Sequence, residues 1–567
     1  MIISAHSSTR RAPWSSAALR GAALLAVLTI VAGTQALLAP TAGAAGYVPI
    51  SGSGSTWSSN ALDGWRRNVA NNNGITVNFS ANGSTGGRTD FRSGLVDFAV
   101  SEIPYGLTDG GVLDPKPQRK FGYMPIVAGG TSFMYNLKIG NKRVTNLRLS
   151  GDTLTKIFTQ QITKWDAPEI KADNPSLALP GRTIVPVVRS DGSGTTAQLT
   201  AWMANQYGGQ WDAYCHKAGR NITPCGFTSF YPANGMNSKA GSQGVAGFTA
   251  QASSEGAITY VEYSYARNSG FPVVKVLNKA NYYVEPKATS VAVALLKAQI
   301  NPSDLTSDLS QVYVNPDPRA YPLSSYSYMI IPQDTTANFN TEKGRTLSDF
   351  AYYFLCEGQQ QADALGYSPL PVNLVAAGVD QVSKIPGTTN KLNSNNLAGC
   401  HNPTVSPDGT NLLAKNAAQP DPCDLKGASA QCAAGTGGAA NTPTNGGGGA
   451  AGAGGGGPGG GSGGGSGTTD STGTAAGGSG GGPAADGTIA GGATGAIDPI
   501  TGEVIGGATS ANGSAASGVS AVPVSVDVAD NRRQMVLAML AAVLLLGLIV
   551  GPPLVARSMR NREGPQT

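Results

Sequence analysis

The feature that most limits how this chain can fold is a glycine-rich stretch near its C-terminus. From Gly427 to Asn531 the 567-residue chain contains no Lys, Arg or aromatic residue. Such a stretch cannot bury enough apolar surface to offset the conformational entropy lost on ordering it. Flexible-chain statistics give about 100 such residues a root-mean-square span of roughly 50–60 Å. We therefore expect residues 402–531 to form a low-complexity, disordered tether.

An apolar segment at the N-terminus predicts export. Three arginines within the first 20 residues precede the apolar run Ala22–Leu38 and the small residues Ala42–Ala44. This order is typical of a signal peptide, so residues 1–44 are expected to be removed, and a first transmembrane helix is the alternative. The tandem Arg10-Arg11 fits a twin-arginine signal poorly because of the residues that follow it, and the export route stays open.

A second apolar segment, Met535–Ala556, predicts a membrane anchor. It carries no charge and is long enough for a hydrocarbon core roughly 30 Å thick at about 1.5 Å per residue. Three arginines follow it and two precede it, which favours a cytoplasmic tail at 557–567. The chain before residue 535 would then lie on the extracytoplasmic face of the membrane.

The cysteines are even in number, and all lie in the part expected to be outside. Disulfides are therefore the first interpretation. A metal site is the alternative, but Cys-x-x-Cys spacing does not occur and the chain has only 3 histidines, so we expect no metal. Fifteen connectivities are possible; the local pairings are Cys215–Cys225, Cys356–Cys400 and Cys423–Cys432.

The region 45–401 alternates strand and helix patterns. Ile75–Phe79 and Val96–Val100 predict strands, while Tyr47–Ile50 and Ile184–Val188 predict strands that run into Gly/Ser loops followed by helices. This alternation predicts an α/β fold in which helices cover a largely parallel sheet. About 355 residues exceed what one core usually holds, so we expect two lobes.

Four polar loops fall at the ends of predicted strands: Gly52–Thr56, Gly83–Gly87, Ser101–Pro104 and Arg189–Thr195. A helix N-terminus presents unpaired N–H groups and a positive dipole end, which favour an anion. Glycine permits close backbone approach, and Arg189 adds a planar, permanently charged fork. Any one of these loops is more often a plain turn or helix cap, but the four together predict an oxyanion site. The Walker A pattern of nucleotide-binding P-loops is absent.

These residues resemble the phosphate-binding proteins of the phosphate-specific ABC transporter, the PstS family. The similarity covers about Gly46–Pro386. It is carried by six segments in order and by a seventh near residue 370, namely 52–57, 83–87, 96–104, 156–165, 189–195, 257–263 and 366–371.

The resemblance implies a two-lobed periplasmic-binding-protein fold of type II, closing about a hinge over inorganic phosphate. Lobe one would be 46–123 plus 328–401 and lobe two 124–327, with hinges near Tyr123–Ile126 and Tyr321–Ile330. The ligand would be delivered to the permease subunits of an ABC transporter, with no cofactor and no catalysis. The implied ligand contacts are Thr56, Trp57, Ser84, Glu102, Arg189, Ser193, Gly194 and Thr195, with Asp191 positioning Arg189.

Glu102 departs from the pattern of the family, which normally has Asp at this position. The extra methylene can move the carboxylate by about 1.5 Å. A buried carboxylate can accept a hydrogen bond from the proton of phosphate, whereas it would repel unprotonated sulfate by several kcal/mol. A structural role for Glu102 is the alternative.

Other functions are weighed against phosphate binding. A binding protein for sulfate or molybdate would use the same loops, and a surface protein could keep the fold without transport. A secreted hydrolase would have only His216 and His401 as histidine bases, and its Gly-x-Ser-x-Gly pattern at Ser462 lies in the tether. Nucleic-acid binding is not expected, because the basic residues behind the net charge of +5 are scattered.

Overall fold

The computed structural model describes residues 46–389, 392–404, 406 and 409–444, together with two short strands, Ala496–Ile497 and Val504–Ile505. These two strands pair antiparallel in a C-terminal unit that begins at Gly456. The predicted signal peptide, most of the predicted tether and the predicted membrane helix lie outside the described residues. Within the described part of the chain, no helix has the length and apolar character needed to cross a bilayer.

The main unit alternates strands and helices, as the sequence predicts. The strands are β1 (Ile50–Gly54), β2 (Val77–Ser80), β3 (Phe98–Ser101), β4 (Thr108–Asp109), β5 (Val112–Leu113), β6 (Phe121–Tyr135), β7 (Lys138–Ile139), β8 (Lys142–Arg143), β9 (Arg148–Leu149), β10 (Val185–Arg189), β11 (Asn237–Lys239), β12 (Ala257–Glu262), β13 (Lys275–Leu277), β14 (Tyr283–Val284), β15 (Gln299–Ile300), β16 (Ser307–Asp308) and β17 (Ser324–Pro332). The helices are α1 (Ser59–Asn73), α2 (Ser84–Arg92), α3 (Gly151–Phe158), α4 (Pro168–Asp173), α5 (Gly194–Gln206), α6 (Gly208–Lys217), α7 (Gly241–Ala250), α8 (Tyr263–Asn268), α9 (Ala288–Leu295), α10 (Ser310–Tyr313), α11 (Thr341–Leu355), α12 (Val372–Val382) and α13 (Leu412–Lys415).

One eight-stranded sheet runs through the unit in the order β11-β10-β12-β6-β17-β3-β1-β2. Strands β1, β2 and β3 pair in parallel at one side, and β10, β11 and β12 at the other. Between them the long strands β6 and β17 pair antiparallel, with a register shift at Ser327/Tyr328. The sheet is therefore mixed rather than largely parallel. We call the half with β1–β3 lobe one and the half with β10–β12 lobe two. The expected hinge segments lie in or next to β6 and β17.

Strand β1 begins later than its apolar residues suggest and includes part of the predicted Gly52–Thr56 loop. A Cβ on Gly52 would lie 2.2 Å from the Phe98 ring, and one on Gly54 would lie 2.1 Å from the Val100 carbonyl oxygen. Glycine is needed here because β1 is packed closely against its neighbours rather than because the chain turns. The prediction that Gly52–Gly54 form part of a loop is therefore wrong, because these residues belong to β1.

Each lobe has its own apolar core. The first cluster surrounds β1–β3 and includes Trp65, Phe98 and Phe350, and the second surrounds α3 and α5 and includes Trp165 and Trp202. A third, smaller cluster lies under α7 and α8. The first cluster also takes in residues 291–295 of α9, within the range expected for lobe two, because α9 packs on β6 and β17.

The folded unit extends beyond residue 401, where we expected the tether to begin. Ala414 and Ala417 pack in the first core cluster, and Arg319 donates to both of their carbonyl oxygens. Farther along, Lys275 forms a 2.6 Å ion pair with Asp424, which is mostly buried. Residues 402–404, 406 and 409–444 thus continue the ordered domain. The predicted start of the tether at residue 402 is therefore too early. Composition does not reveal the specific tertiary contacts that order such a segment.

Three disulfides join Cys215 to Cys225, Cys356 to Cys400 and Cys423 to Cys432. The predicted local pairings are therefore confirmed. Asp421 and the last pair are the one group of potential metal ligands found in the described residues, but cysteines joined in a disulfide have no free thiolate for a metal.

Candidate functional site: a buried cleft between the lobes

The N-termini of three helices meet where the lobes face each other. Helix α2 begins at Ser84 in lobe one, and α5 and α7 begin at Gly194 and Gly241 in lobe two. The amide of Gly194 donates to Ser84 Oγ at 3.0 Å, which connects the first two helix ends directly. Helix N-termini carry unpaired N–H groups and partial positive charge, so their convergence favours an anion.

Arg189 lies at the end of β10, next to the N-terminus of α7, and is 3% exposed. Its Nε donates to Asp191 Oδ1 at 2.7 Å, its Nη2 donates to the other oxygen, and its Nη1 donates to Ser242 Oγ at 3.3 Å. Asp191 also accepts from the Gly241 amide at 3.0 Å. Burial acts to raise the pKa of Asp191, but the hydrogen bonds and charge of Arg189 outweigh it and leave that pKa below its usual range. Asp191 thus fixes the orientation of the guanidinium.

Thr56 contributes from lobe one. Its Oγ1 lies 2.9 Å from Ser242 Oγ and accepts from the Ser242 amide at 3.2 Å. Trp57 follows at the predicted position, but its amide donates to Ser55 Oγ at 3.0 Å. The Trp57 side chain is fully buried, and its Nε1 has no hydrogen-bond partner among the described residues.

Glu102 lies on the lobe-one side and is 3% exposed. Its Oε2 accepts from Ser55 Oγ and from Ser84 Oγ, both at 2.7 Å, and its Oε1 accepts from Ser327 Oγ at 2.8 Å. Burial raises the pKa of Glu102, and the three hydroxyl groups oppose that rise only in part. A Cβ on Gly194 would lie 1.9 Å from Glu102 Oε2, so only glycine fits at this helix start.

The first residues of α5 complete the site. Ser193 caps the helix, with its Oγ accepting from the Thr196 amide at 3.2 Å. Thr195 is 1% exposed, and its Oγ1 has no hydrogen-bond partner in the part of the chain that the structure describes. A buried hydroxyl without a partner is costly in a folded protein, so Thr195 is available to a ligand.

The structure brings the predicted residues together in two linked groups. One contains Glu102, Ser84 and Gly194, and the other contains Arg189, Asp191 and Thr56. The amide of Thr85 donates to the Gly192 carbonyl at 3.1 Å and connects them across the cleft.

Sequence reasoning missed Ser242, Ser55 and Ser327. Ser242 could have been found, because Gly241-Ser242 follows the short strand β11 and opens α7, the pattern used for the other loops. Ser327 gives no local signal, since it reaches Glu102 only through the pairing of β17 with β3.

Comparison with known proteins agrees with this architecture. The PBP superfamily domain matches residues 39–357, more than half of the chain, so the chain belongs to that superfamily. The phosphate-binding protein PstS of Xylella fastidiosa (strain Temecula1) is 30% identical over 339 residues, covering 59% of this chain and 85% of that protein. PstS of Methanocaldococcus jannaschii is 30% identical over 328 residues, covering 55% and 79%. Within the superfamily, the chain is therefore a member of the PstS family of binding proteins, in line with the expectation that it is not an enzyme. A solved phosphate-binding protein from Stenotrophomonas maltophilia aligns at 18% identity with a TM-score of 0.41, covering 61% of this chain and 100% of that one.

Proposed function

We propose that this protein binds inorganic phosphate on the extracytoplasmic face of the cell membrane and delivers it to the permease subunits of an ABC transporter. The observation that supports this most directly is the meeting of three helix N-termini at one buried guanidinium. Amides, hydroxyls and a single cation suit a small, dehydrated oxyanion. The names of the PstS relatives support phosphate as that oxyanion.

The ligand contacts in this proposal are the main-chain and hydroxyl groups at the helix starts, together with Arg189 and Glu102. In the described ranges, Thr195 Oγ1 has no hydrogen-bond partner that phosphate would have to displace. The hydroxyls of Thr56 and Ser242 lie within hydrogen-bond distance of each other, and Ser84 Oγ accepts from the Gly194 amide. Phosphate would replace some of these contacts between the lobes. Because both lobes contribute contacts, phosphate would stabilise the closed arrangement over an open one.

Glu102 is the proposed basis of selectivity. A carboxylate in this dry environment can accept a hydrogen bond from protonated phosphate, while sulfate would place a bare oxygen against it. A preference for sulfate or molybdate is the competing function, and selectivity measurements separate the two.

The test is calorimetric titration of the purified full-length chain with phosphate, sulfate and molybdate, preceded by native mass spectrometry of the protein as isolated. We expect a retained phosphate and tight phosphate binding that excess sulfate does not displace. A protein that takes up none of the three anions would contradict the proposal, and one that prefers sulfate or molybdate would reassign the ligand. Attachment by residues 535–556 is proposed from the sequence and is tested by membrane fractionation with and without that segment.

A further inference from the structure

A hairpin of lobe one reaches across the cleft to lobe two. It is formed by β4 and β5 around the turn Gly110-Gly111, and we call residues 105–114 the latch hairpin. At its tip, Asp109 Oδ1 accepts from the Ser229 amide at 2.7 Å, and Oδ2 accepts from Ser229 Oγ. The Gly110 amide donates to the Phe227 carbonyl at 3.2 Å. Asp109 thus accepts from both hydrogen-bond donors of Ser229, a lobe-two residue that is fully buried.

The base of the latch hairpin is fixed to the helix that opens the site in lobe one. Asp114 accepts from Arg88 Nε at 2.6 Å and from Arg92 Nη1 at 2.9 Å, and both arginines belong to α2. Tyr105 donates to the Arg88 carbonyl at 2.6 Å. A rigid path therefore connects the tip of the hairpin to the N-terminus of α2, where Ser84 lies.

The receiving loop of lobe two is equally well fixed, and it touches the candidate site. The Cys215–Cys225 disulfide closes it on α6, and Thr228 exchanges hydrogen bonds of 2.9 Å with the Thr200 hydroxyl of α5. The Ser229 carbonyl accepts from the amide of Ser193, the residue that caps α5, at 2.9 Å. Ser229 Oγ also lies 3.0 Å from Thr85 Oγ1 on α2.

We propose that Asp109 is a positioning residue that latches the two lobes in the closed arrangement and thereby slows ligand release. Asp109 and Ser229 belong to different lobes, so their hydrogen bonds exist only when the lobes are together. Through Ser229 the latch holds the cap of α5 against lobe one. The identity of the ligand in this inference rests on the proposed function. The latch itself rests on the contacts between Asp109 and Ser229.

The shape of the turn supports the same conclusion. Gly110 has a φ of +58°, and a Cβ there would lie 2.6 Å from Arg220 Nη1 and 3.0 Å from Thr228 Oγ1. A side chain at this position would therefore have to displace the end of the Arg220 side chain of lobe two, in a backbone conformation that favours glycine. Val112, on the other strand of the hairpin, is 71% exposed and provides a matched control.

The experiment compares full-length wild-type protein with Asp109→Ala, Ser229→Ala, the double variant and Val112→Ala. Phosphate release is followed by stopped flow with a fluorescent phosphate trap, and phosphate-free unfolding is measured in parallel. We expect Asp109→Ala to release phosphate about tenfold faster, equal to about 1.4 kcal/mol, with little change in association rate and with cooperative unfolding retained. Ser229→Ala should increase the release rate less when Asp109 is already alanine than it does in the wild-type background, because the two residues share one interaction. Val112→Ala should match wild type. An unchanged release rate in Asp109→Ala would overturn the latch, as would fully additive effects.

A failure of the proposed phosphate-binding function can be distinguished from a failure of the latch. If the wild type binds no phosphate, hydrogen exchange at the Ser229 amide still tests the latch. That amide should be protected in wild type and in Val112→Ala, and should exchange faster in Asp109→Ala. Equal exchange in all three would overturn the latch without reference to any ligand.

Discussion

Arg189 is a charge held inside the protein by a single carboxylate and the end of a helix. Both oxygens of Asp191 accept from Arg189, and within the described residues Nη1 donates only to the Ser242 hydroxyl, at 3.3 Å. The guanidinium therefore retains capacity to bind an anion. The sequence identified this residue because a charged fork in a Gly/Ser loop is unusual. Ser242 was missed, although its Gly-Ser helix start fits the same pattern, because it meets Arg189 from an element more than fifty residues away.

Replacing Arg189 with alanine should remove most phosphate affinity. A hydrogen bond to a charged group contributes up to about 3 kcal/mol, which corresponds to on the order of 100-fold in Kd. The control is Arg182→Ala, which removes an arginine of lobe two that is 45% exposed in its side chain and pairs with Glu255. Calorimetry checks both variants. A near-normal Kd for Arg189→Ala would remove this residue from the site.

Glu102→Gln should weaken phosphate binding and relax the rejection of sulfate. The amide keeps the size of the side chain but has no charge to repel a bare oxyanion, and it offers one acceptor where the carboxylate has two. Competition titration with both anions measures the ratio of affinities. Glu169→Gln, a change at a 40% exposed side chain of lobe two, serves as the control. The selectivity role is refuted if the ratio stays the same in Glu102→Gln.

Glu102 should also make phosphate-free stability depend on pH. Because its pKa is raised above the ordinary 4.5, the folded state binds the proton more tightly than the unfolded chain does. Its contribution to the free energy of unfolding is then fully present below pH 4.5 and declines as the pH rises through the folded pKa. Chemical denaturation from about pH 4 to about pH 8 should show a steeper decline for wild type than for Glu102→Gln. Parallel curves would mean that Glu102 has an ordinary pKa.

Among the elements, β1 and α2 illustrate how tightly the scaffold of the site is packed. A Cβ on Gly87 would lie 2.4 Å from the Gly54 Cα, so helix and strand touch through their backbones. The sequence predicted the strand–loop–helix order, and α5 begins at Gly194, one residue before the end of the predicted Arg189–Thr195 loop. The sequence interpretation assigned Gly52–Gly54 to a loop because a glycine needed for close strand packing cannot be distinguished in the sequence from a glycine in a turn.

Gly87→Ala should destabilise the fold by about 1–3 kcal/mol, since the added methyl meets backbone atoms that cannot move away freely. Gly247→Ala is the matched control, because that glycine lies in α7 with no heavy atom within 4 Å of an added Cβ. Helix propensity predicts that the control gains up to about 1 kcal/mol. Thermal or denaturant unfolding measures both. Equal stability of the two variants would contradict the close packing of α2 on β1.

In the whole molecule, the segment after residue 401 connects both lobes. The Cys356–Cys400 disulfide fixes the chain to lobe one just before this segment, and the first part of the segment packs in the first core cluster. Its second part lies on lobe two, where Arg148 donates to the Cys423 carbonyl at 2.9 Å and Thr436 contacts the backbone of Val273. This third connection adds to the two that β6 and β17 provide.

A chain that ends at residue 401 should therefore be less stable than one that ends at residue 444. Truncation removes the Lys275–Asp424 ion pair and the packing of Ala414 and Ala417 in the first core cluster. Burial of two such methyl-sized groups contributes about 1–2 kcal/mol. Unfolding transitions of the two truncated chains, compared with full-length protein, measure the difference. If both unfold together, residues 402–444 add nothing to the stability of the domain.

The sequence by itself determined the α/β class and the family, and it predicted the local disulfide pairs and most residues of the candidate site. These follow from periodicity, turn chemistry and motif order, which are properties of short segments. The tertiary structure alone decided the antiparallel centre of the sheet, the approach of Ser242 and Ser327 to the site, the contact of Asp109 with Ser229 and the continuation of the domain past residue 401. Each of these depends on contacts between residues far apart in the chain, whose free energy appears only when the lobes and the C-terminal segment pack together.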